Sequence, residues 1–468
     1  MHKARIAALI VGAGALATAA VAAAAPAVPA ASVSRTAPAS GTPWLTTKPG
    51  AIRLSPTFRQ GPPTTAQCEA NLGIACYQPG QIRSAYHTPA LYAKGITGKG
   101  TTILIVDSFG SPTIRADLRA FDHAFGYPAP PVFKIITPAG AIPTYNPGNS
   151  DMIDWAAETT LDVEYAHALA PGANIVLAET PVSETEGVQG FPQIVKAETW
   201  AINHLHIDVI SQSFGATEET FTGLAQINKF KLRSAFQLAR TKGVTVLAAS
   251  GDTGATDYML NGTSLYTHRV TSWPDSDPLV TSVGGTRLNL NAGKYTSVAW
   301  NDTFNTSATG ASGPTPNATG GGKSVLFGRP AYQNGVKLRV GARRGVPDIS
   351  MSAACSGPVD VYGTFDPAQP GGWTLICGTS EATPEFAGIV ALADQVHGKP
   401  LGLINPKLYA LSAAKAPGIV DVTSGTNTVQ FFKNGPIVKG FFALRGYDLV
   451  TGVGTVNAPA LVHELAGR

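Results

Sequence analysis

The sequence predicts an α/β fold in which a mainly parallel, doubly wound sheet carries helices on both faces. Short apolar runs alternate along the chain with segments of helical periodicity, which is the pattern that parallel sheets require. The chain has 468 residues, of which 44% are hydrophobic, so it can bury a large core. Only 14% of the residues are charged and the net charge is +4, which excludes a disordered, charge-driven protein and gives no reason to expect a nucleic-acid partner.

The predicted elements follow one another in the order that a covered parallel sheet needs. They are a helix over 79–86, a strand over 101–107, a helix over 114–125, a strand over 174–178, a helix over 193–205, a strand over 208–211, a long helix over 224–242, and strands over 244–249 and 373–376. A last helix follows Ser380, has Pro384 at an early position and runs to about residue 395. Residues 286–345 are rich in Gly, Asn and Thr and are predicted to form long surface loops. Reactive groups gather beyond the carboxyl ends of the strands in such sheets.

The N-terminus is typical of a secretory signal. Lys3 and Arg5 precede an apolar, Ala-rich stretch, and small residues that suit cleavage follow up to residue 30. A membrane anchor is the alternative, but Ala and Gly are weak membrane residues. We therefore predict a signal peptide over 1–30, an N-terminal extension or short prosegment over 31–88, and one large domain over 89–468 of a secreted protein.

Four cysteines suggest disulfides, because an even number in an exported chain usually pairs. Three pairings are possible. The pairing of near neighbours would join Cys68 to Cys76 and Cys355 to Cys377. Buried free thiols are the alternative, whereas a zinc site is disfavoured because no C-x-x-C or spaced His pair is present.

Ser380 lies in the segment Gly378-Thr-Ser380-x-x-x-Pro384, between a predicted strand and a predicted helix. A serine there has its hydroxyl close to backbone N–H groups that can stabilise an oxyanion. Helix capping is the simpler interpretation of Gly-Thr-Ser alone, but the longer motif is similar to the nucleophile motif of the subtilisin-like fold. Asp107 could serve as the Asp of an Asp-His-Ser set. No suitable histidine accompanies it, since His167 has no glycine turn and His397 follows the serine.

The helix upstream offers two carboxyl groups instead. Glu158 and Asp162 are four residues apart and lie on one helical face, whereas Glu164 and His167 point elsewhere. Two such carboxyls can share a proton, which raises one of the two pKa values. A solvated acidic face is the alternative for this spacing.

Several spaced motifs together resemble the sedolisin family of serine-carboxyl peptidases. They are Glu158-x-x-x-Asp162-x-Glu164 with Ala168-Leu-Ala-Pro-Gly-Ala173 after it, Ser250-Gly-Asp252-Thr-Gly254, Val283-Gly-Gly-Thr286, Arg344-Gly-Val-Pro-Asp348-Ile-Ser350 and Gly378-Thr-Ser380-x-x-x-Pro384. They occur in the family's order over residues 90–468. The resemblance implies a subtilisin-like fold with a single catalytic domain and long surface loops.

The resemblance also implies roles for four residues. Ser380 would be the nucleophile, Glu158 its base, Asp162 the group coupled to that base, and Asp252 a member of the oxyanion hole. A carboxyl pair remains a usable base in acid, where histidine is protonated. Asp252 can donate a hydrogen bond only when protonated. The resemblance therefore implies a secreted endopeptidase that works at acidic pH through an acyl-enzyme.

Other functions stay open at this point. One is a peptide-binding homologue with an inactive cleft, although the complete residue set argues against it. A glycosidase pair of Glu158 and Asp162 would leave Ser380 without a purpose. An ordinary Ser-His-Asp peptidase would use Asp107 and an unrecognised histidine. A tripeptidyl-type exopeptidase shares the scaffold with endopeptidases.

Two further sites follow from the resemblance. Ser213-Phe214-Gly215 stands where the family usually has Ser-Trp-Gly, so we expect this strand to line the substrate cleft and Phe214 to alter side-chain preference. The family also has a structural calcium ion near the C-terminus, which places a Ca²⁺ site within residues 421–454.

The ligands that the resemblance implies for this ion are the side chains of two aspartates and three backbone carbonyl groups. They are Asp421, Asp448, Val422, Leu444 and Gly446. Two turns that contain Asp are the alternative on sequence alone.

The expected partners are protein or peptide substrates. We expect no nucleic acid and, after signal cleavage, no membrane as a partner, and the expected state is a monomer.

Overall fold

The structure, a computed structural model, describes residues 50–53, 61–291, 293–367 and 372–468. All of them belong to the unit Ala31–Arg468. The predicted signal peptide lies outside the described residues, as does most of the segment before residue 61. Within the described ranges, no helix is both long and apolar enough to cross a bilayer.

Helices and strands alternate through most of the chain. The helices are α1 Thr65–Leu72, α2 Pro79–Ala85, α3 Pro89–Tyr92, α4 Ile114–Phe125, α5 Ser150–Leu169, α6 Phe191–His204, α7 Leu224–Lys229, α8 Ser234–Lys242, α9 Thr306–Thr309, α10 Lys337–Val340, α11 Thr379–His397, α12 Asn405–Ala413 and α13 Ala458–Leu465. The strands are β1 Gly50–Arg53, β2 Thr102–Ser108, β3 Phe133–Ile136, β4 Asn174–Thr180, β5 Val209–Gln212, β6 Ala216–Thr217, β7 Thr245–Ala249, β8 Ser272–Trp273, β9 Thr281–Asn291, β10 Lys294–Ala299, β11 Gly322–Gly328, β12 Arg343–Val346, β13 Ile349–Ser352, β14 Val359–Tyr362, β15 Trp373–Cys377, β16 Ile419–Val420, β17 Val429–Gln430, β18 Ile437–Val438 and β19 Thr455–Val456.

The main sheet has eight strands in the order β10-β9-β7-β5-β2-β4-β3, with β13 beside β9. All pairings are parallel except the antiparallel pair of β9 and β10. The predicted α/β fold with a mainly parallel sheet is therefore confirmed. A second sheet joins β1, β15 and β14 in antiparallel pairs.

Alternate residues of the central strands enter two different hydrophobic clusters. On β2, Ile103 and Ile105 pack with α5 and α11, whereas Leu104 and Val106 pack with α6 and α8. Side chains of a strand point to opposite faces in turn, so both faces of this sheet are buried. That is why the central strands read as continuous apolar runs.

Two disulfides link the cysteines that are nearest in sequence. Cys68 of α1 is bonded to Cys76, and Cys355 is bonded to Cys377 at the end of β15. The pairing of near neighbours is therefore the one that the structure contains. The second disulfide attaches the strand that precedes Ser380 to the loop after β13.

Two predictions about the elements were wrong. The long helix over 224–242 is two helices, α7 and α8, because the chain turns at Lys231, whose φ is +53°, and buries Leu232. Residues 286–345 are not only surface loops. The second half of β9 pairs with β10, and β11 pairs with β12. Polar residues dominate these strands because their outer positions are partly exposed, so composition alone did not reveal them.

Candidate active site

Three neighbouring strands of the main sheet end at the same edge. β7, β5 and β2 are adjacent, and Asp252, Ser213 and Asp107 lie at or just beyond their carboxyl ends. Helices α5 and α11 cover one face of the sheet at this place. The expectation that reactive groups gather at the carboxyl ends of the strands is met by these three side chains.

Helix α5 presents Glu158 and Asp162, which we call the acid pair. Asn149 caps the helix by accepting a hydrogen bond from the N–H of Asp151 at 3.0 Å. Both members of the acid pair are fully buried, so the alternative of a solvated acidic face is wrong. Glu164 is buried elsewhere, where its Oε2 accepts a hydrogen bond from the N–H of Tyr362 at 3.0 Å.

The surroundings of the acid pair favour its protonated form. Burial raises the pKa of Glu158 well above its ordinary value, and the charge of Asp162 raises it further. A hydrogen bond from Ser380 lowers that pKa, while the more distant Asp107 and Asp252 raise it. Burial and then Asp107 raise the pKa of Asp162, against a hydrogen bond from Ser213. The two carboxyls therefore hold at least one proton well above the pH at which isolated carboxyls ionise.

Asp107 lies behind the acid pair. It is fully buried, and its pKa is raised to about 7 by burial, while the hydroxyl of Thr159 lowers it and the charge of Glu179 raises it. Sequence reasoning considered Asp107 only as the partner of a histidine and missed its place beside two other carboxyls. Its position at the end of an apolar strand was the available signal, since a buried Asp there needs a polar environment.

Ser380 lies in the first turn of α11, which begins at Thr379, as expected for a serine at the N-terminus of this helix. Gly378 precedes the helix with a φ of +125°, a conformation that disfavours other residues. Because Pro384 has no N–H, the main-chain oxygen of Ser380 lacks its usual helical donor. The hydroxyl of Ser213 lies 3.4 Å from that oxygen and also donates to Asp162 Oδ1 at 2.9 Å.

Asp252 is attached to the same turn. Its Oδ1 accepts hydrogen bonds from the N–H of Thr379 at 2.7 Å and from the Thr379 hydroxyl at 2.8 Å. Its Oδ2 has no hydrogen-bond partner among the described residues. Burial raises the pKa of Asp252 well above its ordinary value, while the bonds from Thr379 lower it and the charge of Asp257 raises it. A protonated Oδ2 would be free to donate to a ligand beside Ser380.

The segment predicted to bind substrate is placed differently from the expectation. The ring of Phe214 is fully buried between Trp155 and Phe191, at centroid distances of 6.5 and 6.2 Å. It therefore does not face a cleft, and the expectation that it alters side-chain preference by direct contact is corrected. The hydroxyl of Ser213 donates a hydrogen bond to Asp162 of the acid pair. A Cβ on Gly215 would lie 3.2 Å from the main-chain oxygen of Trp273, so this backbone is closely packed.

The two histidines considered as partners of Asp107 and Ser380 lie away from Ser380. His167 Nε2 is 2.8 Å from the main-chain oxygen of Pro128 and 3.2 Å from Asp122 Oδ1. His397 ends α11, about 25 Å along the helix axis from Ser380. No histidine is among the groups that shift the pKa of Glu158. Neither His167 nor His397 can therefore complete a Ser-His-Asp arrangement with Ser380.

The two aspartates expected to bind calcium meet at the loop that contains Leu444 and Gly446. Asp421 Oδ2 accepts a hydrogen bond from the N–H of Gly446 at 3.0 Å, and Asp448 Oδ2 accepts one from the N–H of Leu444 at 2.8 Å. A Cβ on Gly454 would lie 2.3 Å from the main-chain oxygen of Val420, so glycine permits this close approach. No cluster of three His, Cys, Asp or Glu suited to a metal occurs in the described ranges. Two carboxylates close to the backbone of Leu444 and Gly446 fit Ca²⁺, which takes carboxylate and carbonyl oxygens as ligands.

Comparisons with known proteins agree with this geometry. The profile of the subtilase family matches residues 144–416. Kumamolisin of Bacillus sp. (strain MN-32) is 32% identical over 404 residues, which are 83% of this chain and 63% of kumamolisin. Tripeptidyl-peptidase 1 of Rattus norvegicus is 28% identical over 440 residues, which are 88% of this chain and 68% of that protein.

A solved structure extends the comparison to the fold. The sedolisin of Pseudomonas, a serine-carboxyl proteinase complexed with two molecules of pseudo-iodotyrostatin, superposes with a TM-score of 0.67 at 25% identity. The match covers 84% of this chain and 99% of that one. The subtilase profile spans more than half of the sequence, and the chain covers 63% of the length of kumamolisin. The chain thus belongs to the subtilase family and, within it, to the sedolisins, the serine-carboxyl peptidases.

Proposed function

We propose that this protein hydrolyses peptide bonds at acidic pH through an acyl-enzyme, with Ser380 as nucleophile and Glu158 as base. The observation that supports the proposal is the convergence of Ser380, the acid pair and Asp252 at one edge of the sheet. A serine needs a base close to its hydroxyl. Ser380 is among the groups that change the pKa of Glu158, which supports this carboxyl as that base.

Acylation begins when Ser380 Oγ attacks the carbonyl carbon of the scissile bond. Glu158 accepts the hydroxyl proton and becomes neutral, while Asp162 stays protonated. The negative charge moves to the oxygen of the scissile carbonyl. Protonated Asp252 donates from Oδ2 to the oxyanion. When the C–N bond breaks, Glu158 returns its proton to the leaving amine.

Deacylation repeats these steps with water. Glu158 accepts a proton from the water that attacks the ester carbonyl, and Asp252 again donates to the oxyanion. The ester bond breaks, the carboxylic acid leaves, and Ser380 Oγ regains its proton. Catalysis therefore requires Glu158 to be ionised and Asp252 to be protonated, which predicts a bell-shaped pH profile.

The test is hydrolysis of a denatured protein between pH 2.5 and 8. We expect the parent to be most active in acid, and both Ser380→Ala and Glu158→Gln to lose at least about a thousandfold in kcat/KM. Glu164→Gln is the matched control, because it changes a buried glutamate on the same helix that faces away from the acid pair. A neutral optimum together with an active Glu158→Gln variant would refute the proposal.

Further assays distinguish the proposed endopeptidase from two alternatives, an inactive homologue and an exopeptidase. A folded parent that binds peptides without cleaving them at any pH would identify an inactive homologue.

We propose endopeptidase action, and the similarity to tripeptidyl-peptidase 1 makes release of tripeptides the competing mode. Peptides with a blocked N-terminus distinguish the two modes, because an exopeptidase of that kind needs a free amino terminus and an endopeptidase does not.

We also propose a structural Ca²⁺ ion held by Asp421 and Asp448, with carbonyl oxygens of Val422, Leu444 and Gly446. The support is the loop that joins the two carboxylates through hydrogen bonds. The ion would stabilise the C-terminal region and takes no part in the chemistry. Elemental analysis of the purified protein should give about one calcium per chain, and EDTA should lower the Tm. An Asp448→Asn variant should lose the metal and the effect of EDTA together.

The proposed location and partners follow from the same function. We propose secretion after removal of residues 1–30, with protein or peptide substrates and a monomeric enzyme. The support is the basic and apolar start of the sequence. N-terminal sequencing of the exported protein tests the cleavage position, and light scattering tests the oligomeric state. Cleavage within 31–88 would identify that segment as a prosegment.

A further inference from the structure

A second pair of buried carboxyls lies directly beside the nucleophile. Glu381 follows Ser380, and Glu385 lies one helical turn later on α11, so the two side chains share a face of that helix. Both are fully buried. The proposed reaction uses neither of them, which leaves two costly groups in the core without an assigned role.

The groups that face this pair come from four other parts of the fold. Tyr86 approaches from the end of α2, Tyr165 from α5, Ser352 from β13 and Asp252 from the turn after β7. The oxygen of Tyr86 accepts a hydrogen bond from the N–H of Ser352 at 2.6 Å. The hydroxyl of Tyr165 donates to the main-chain oxygen of Asp360 at 3.0 Å. These are neutral or acidic groups, and no Lys, Arg or His is among the causes of the pKa shifts of the pair.

This environment opposes a negative charge. Burial raises the pKa of Glu381 well above its ordinary value, a hydrogen bond from Ser352 lowers it, and the charge of Asp252 raises it. Burial and then the charge of Glu381 raise the pKa of Glu385. A buried carboxylate without a cation is unstable, whereas a protonated carboxyl can both donate and accept hydrogen bonds.

The pair is mechanically connected to Ser380. Pro384 lies between the two glutamates and removes one helical hydrogen bond from the first turn, so packing rather than the helix itself holds that turn. One turn later α11 touches α5 closely, since a Cβ on Gly388 would lie 2.5 Å from Leu169 Cβ. A displacement of the first turns of α11 would therefore change the alignment of Ser380 with Glu158 on α5.

We propose that Glu381 and Glu385 are a proton-operated positioning pair for the nucleophile. With both carboxyls protonated, the first turns of α11 pack against α2, α5 and β13, and Ser380 is held against Glu158. When the pair loses a proton, the charge displaces this part of the helix, and activity is lost at neutral pH. This inference rests on the proposed function and adds residues that control it.

The test replaces the pair with glutamine, which keeps the shape and hydrogen bonding of a protonated glutamate but cannot ionise. The variants are Glu381→Gln, Glu385→Gln and the double variant. Glu198→Gln is the matched control, since Glu198 is a fully buried glutamate on the opposite face of the sheet that hydrogen bonds with Gln212. The measurements are kcat/KM between pH 3 and 8 and hydrogen exchange of α11 at pH 4 and 7.

In the double variant, kcat/KM at the acidic optimum should stay within about threefold of the parent. We then compare the ratio of kcat/KM at pH 7 to kcat/KM at the optimum. This ratio should be about tenfold higher in the double variant than in the parent, because the fall of activity on the alkaline side (the alkaline limb of the profile) should begin about one pH unit later. Glu198→Gln should leave the limb where it is in the parent. After division by the intrinsic exchange rate at each pH, amides of α11 should be less protected at pH 7 than at pH 4 in the parent and equally protected at both in the double variant.

An alkaline limb that stays unchanged in the double variant would overturn the proposal. A merely structural role would raise the Tm of the variants without moving that limb. If the double variant does not fold, the single variant Glu385→Gln decides. Because it removes one of the two charges, its activity at pH 7, relative to its optimum, should exceed that of the parent by about threefold. Hydrogen exchange needs no turnover, so it tests the pair even if Glu158→Gln refutes the proposed base.

Discussion

At the scale of single residues, Ser213 connects the two parts of the proposed active site. Its hydroxyl donates to Asp162 and lowers the pKa of that carboxyl. Ser213→Ala should therefore raise the pKa of Asp162. Because the two carboxyls of the acid pair interact and titrate together, the acid limb of kcat/KM should move to higher pH. Loss of one buried hydrogen bond should also reduce kcat/KM at the optimum by about threefold to tenfold. Steady-state kinetics across pH measures both effects.

Ser211→Ala is the control for that substitution. Ser211 lies two residues earlier on β5, is also buried, and has a hydroxyl without a hydrogen-bond partner in the ranges described. Its removal should leave kcat/KM within about twofold. Equal effects of the two substitutions would mean that strand packing, rather than the bond to Asp162, is responsible.

Asp252 offers a second prediction at this scale. Asp252→Ala removes the proposed donor to the oxyanion and should cost about a hundredfold to a thousandfold in kcat. Asp252→Asn retains an N–H donor that does not titrate and should keep a larger part of the activity. Activity of the Asn variant should fall at higher pH than activity of the parent, because an amide does not lose its proton as pH rises. An Asn variant as inactive as the Ala variant would contradict the assigned role.

At the scale of elements, α5 and α11 show what the sequence could and could not predict. The 3.6-residue period placed Glu158 and Asp162 on one face, and the structure has them side by side and buried. Periodicity could not reveal that α5 is covered on nearly all sides, because its polar residues look like a solvated face. Pro384 was expected at an early position of α11, and the structure has it inside that helix, where it removes one helical hydrogen bond.

The disulfide Cys355–Cys377 leads to a prediction about the element that carries Ser380. It closes a loop with a sequence separation of 22 residues, against 8 for Cys68–Cys76. The chain-entropy relation gives about 3 kcal/mol for the longer loop and somewhat less for the shorter one. Replacement of both Cys355 and Cys377 by Ser should therefore reduce the free energy of unfolding more than the same change at Cys68 and Cys76.

Urea titration followed by activity and by fluorescence measures this difference. Because Cys377 ends the strand that leads into Ser380, activity should be lost at a lower urea concentration than tertiary structure in the Cys355 and Cys377 variant. The Cys68 and Cys76 variant should lose both together. Coincident transitions in both variants would show that the longer disulfide does not specifically stabilise the nucleophile turn.

At the scale of the whole molecule, the core contains many carboxyls outside the proposed active site. Burial raises the pKa of Glu198 to about 8, and it raises those of Glu164, Asp275 and Asp360 well above their ordinary values. Composition could not show this, because only 14% of residues are charged and nothing in the sequence separates buried from exposed carboxyls. The resemblance identified the residues of the proposed site but was silent about the rest of the core.

This distribution predicts how stability depends on pH. A carboxyl whose pKa is higher in the folded state binds more protons there than in the unfolded chain. Its contribution is fully favourable below its unfolded pKa of about 4 and is lost as pH rises to the folded value. For Glu198 that window extends from about pH 4 to about pH 8. The Tm should therefore be highest in acid and fall steadily toward pH 8, which calorimetry can measure.

The comparison of single variants identifies the groups responsible. Glu198→Gln should flatten the fall of Tm with pH, whereas a Gln variant of the exposed Glu69 should leave the slope unchanged. A Tm that rises between pH 4 and 7 would contradict the argument, because it would require carboxyls that are stabilised as charges in the folded state. A falling Tm would mean that buried carboxyls outside the proposed active site confine the stability of the fold to acid, so the proposed activity and folding would share one pH range.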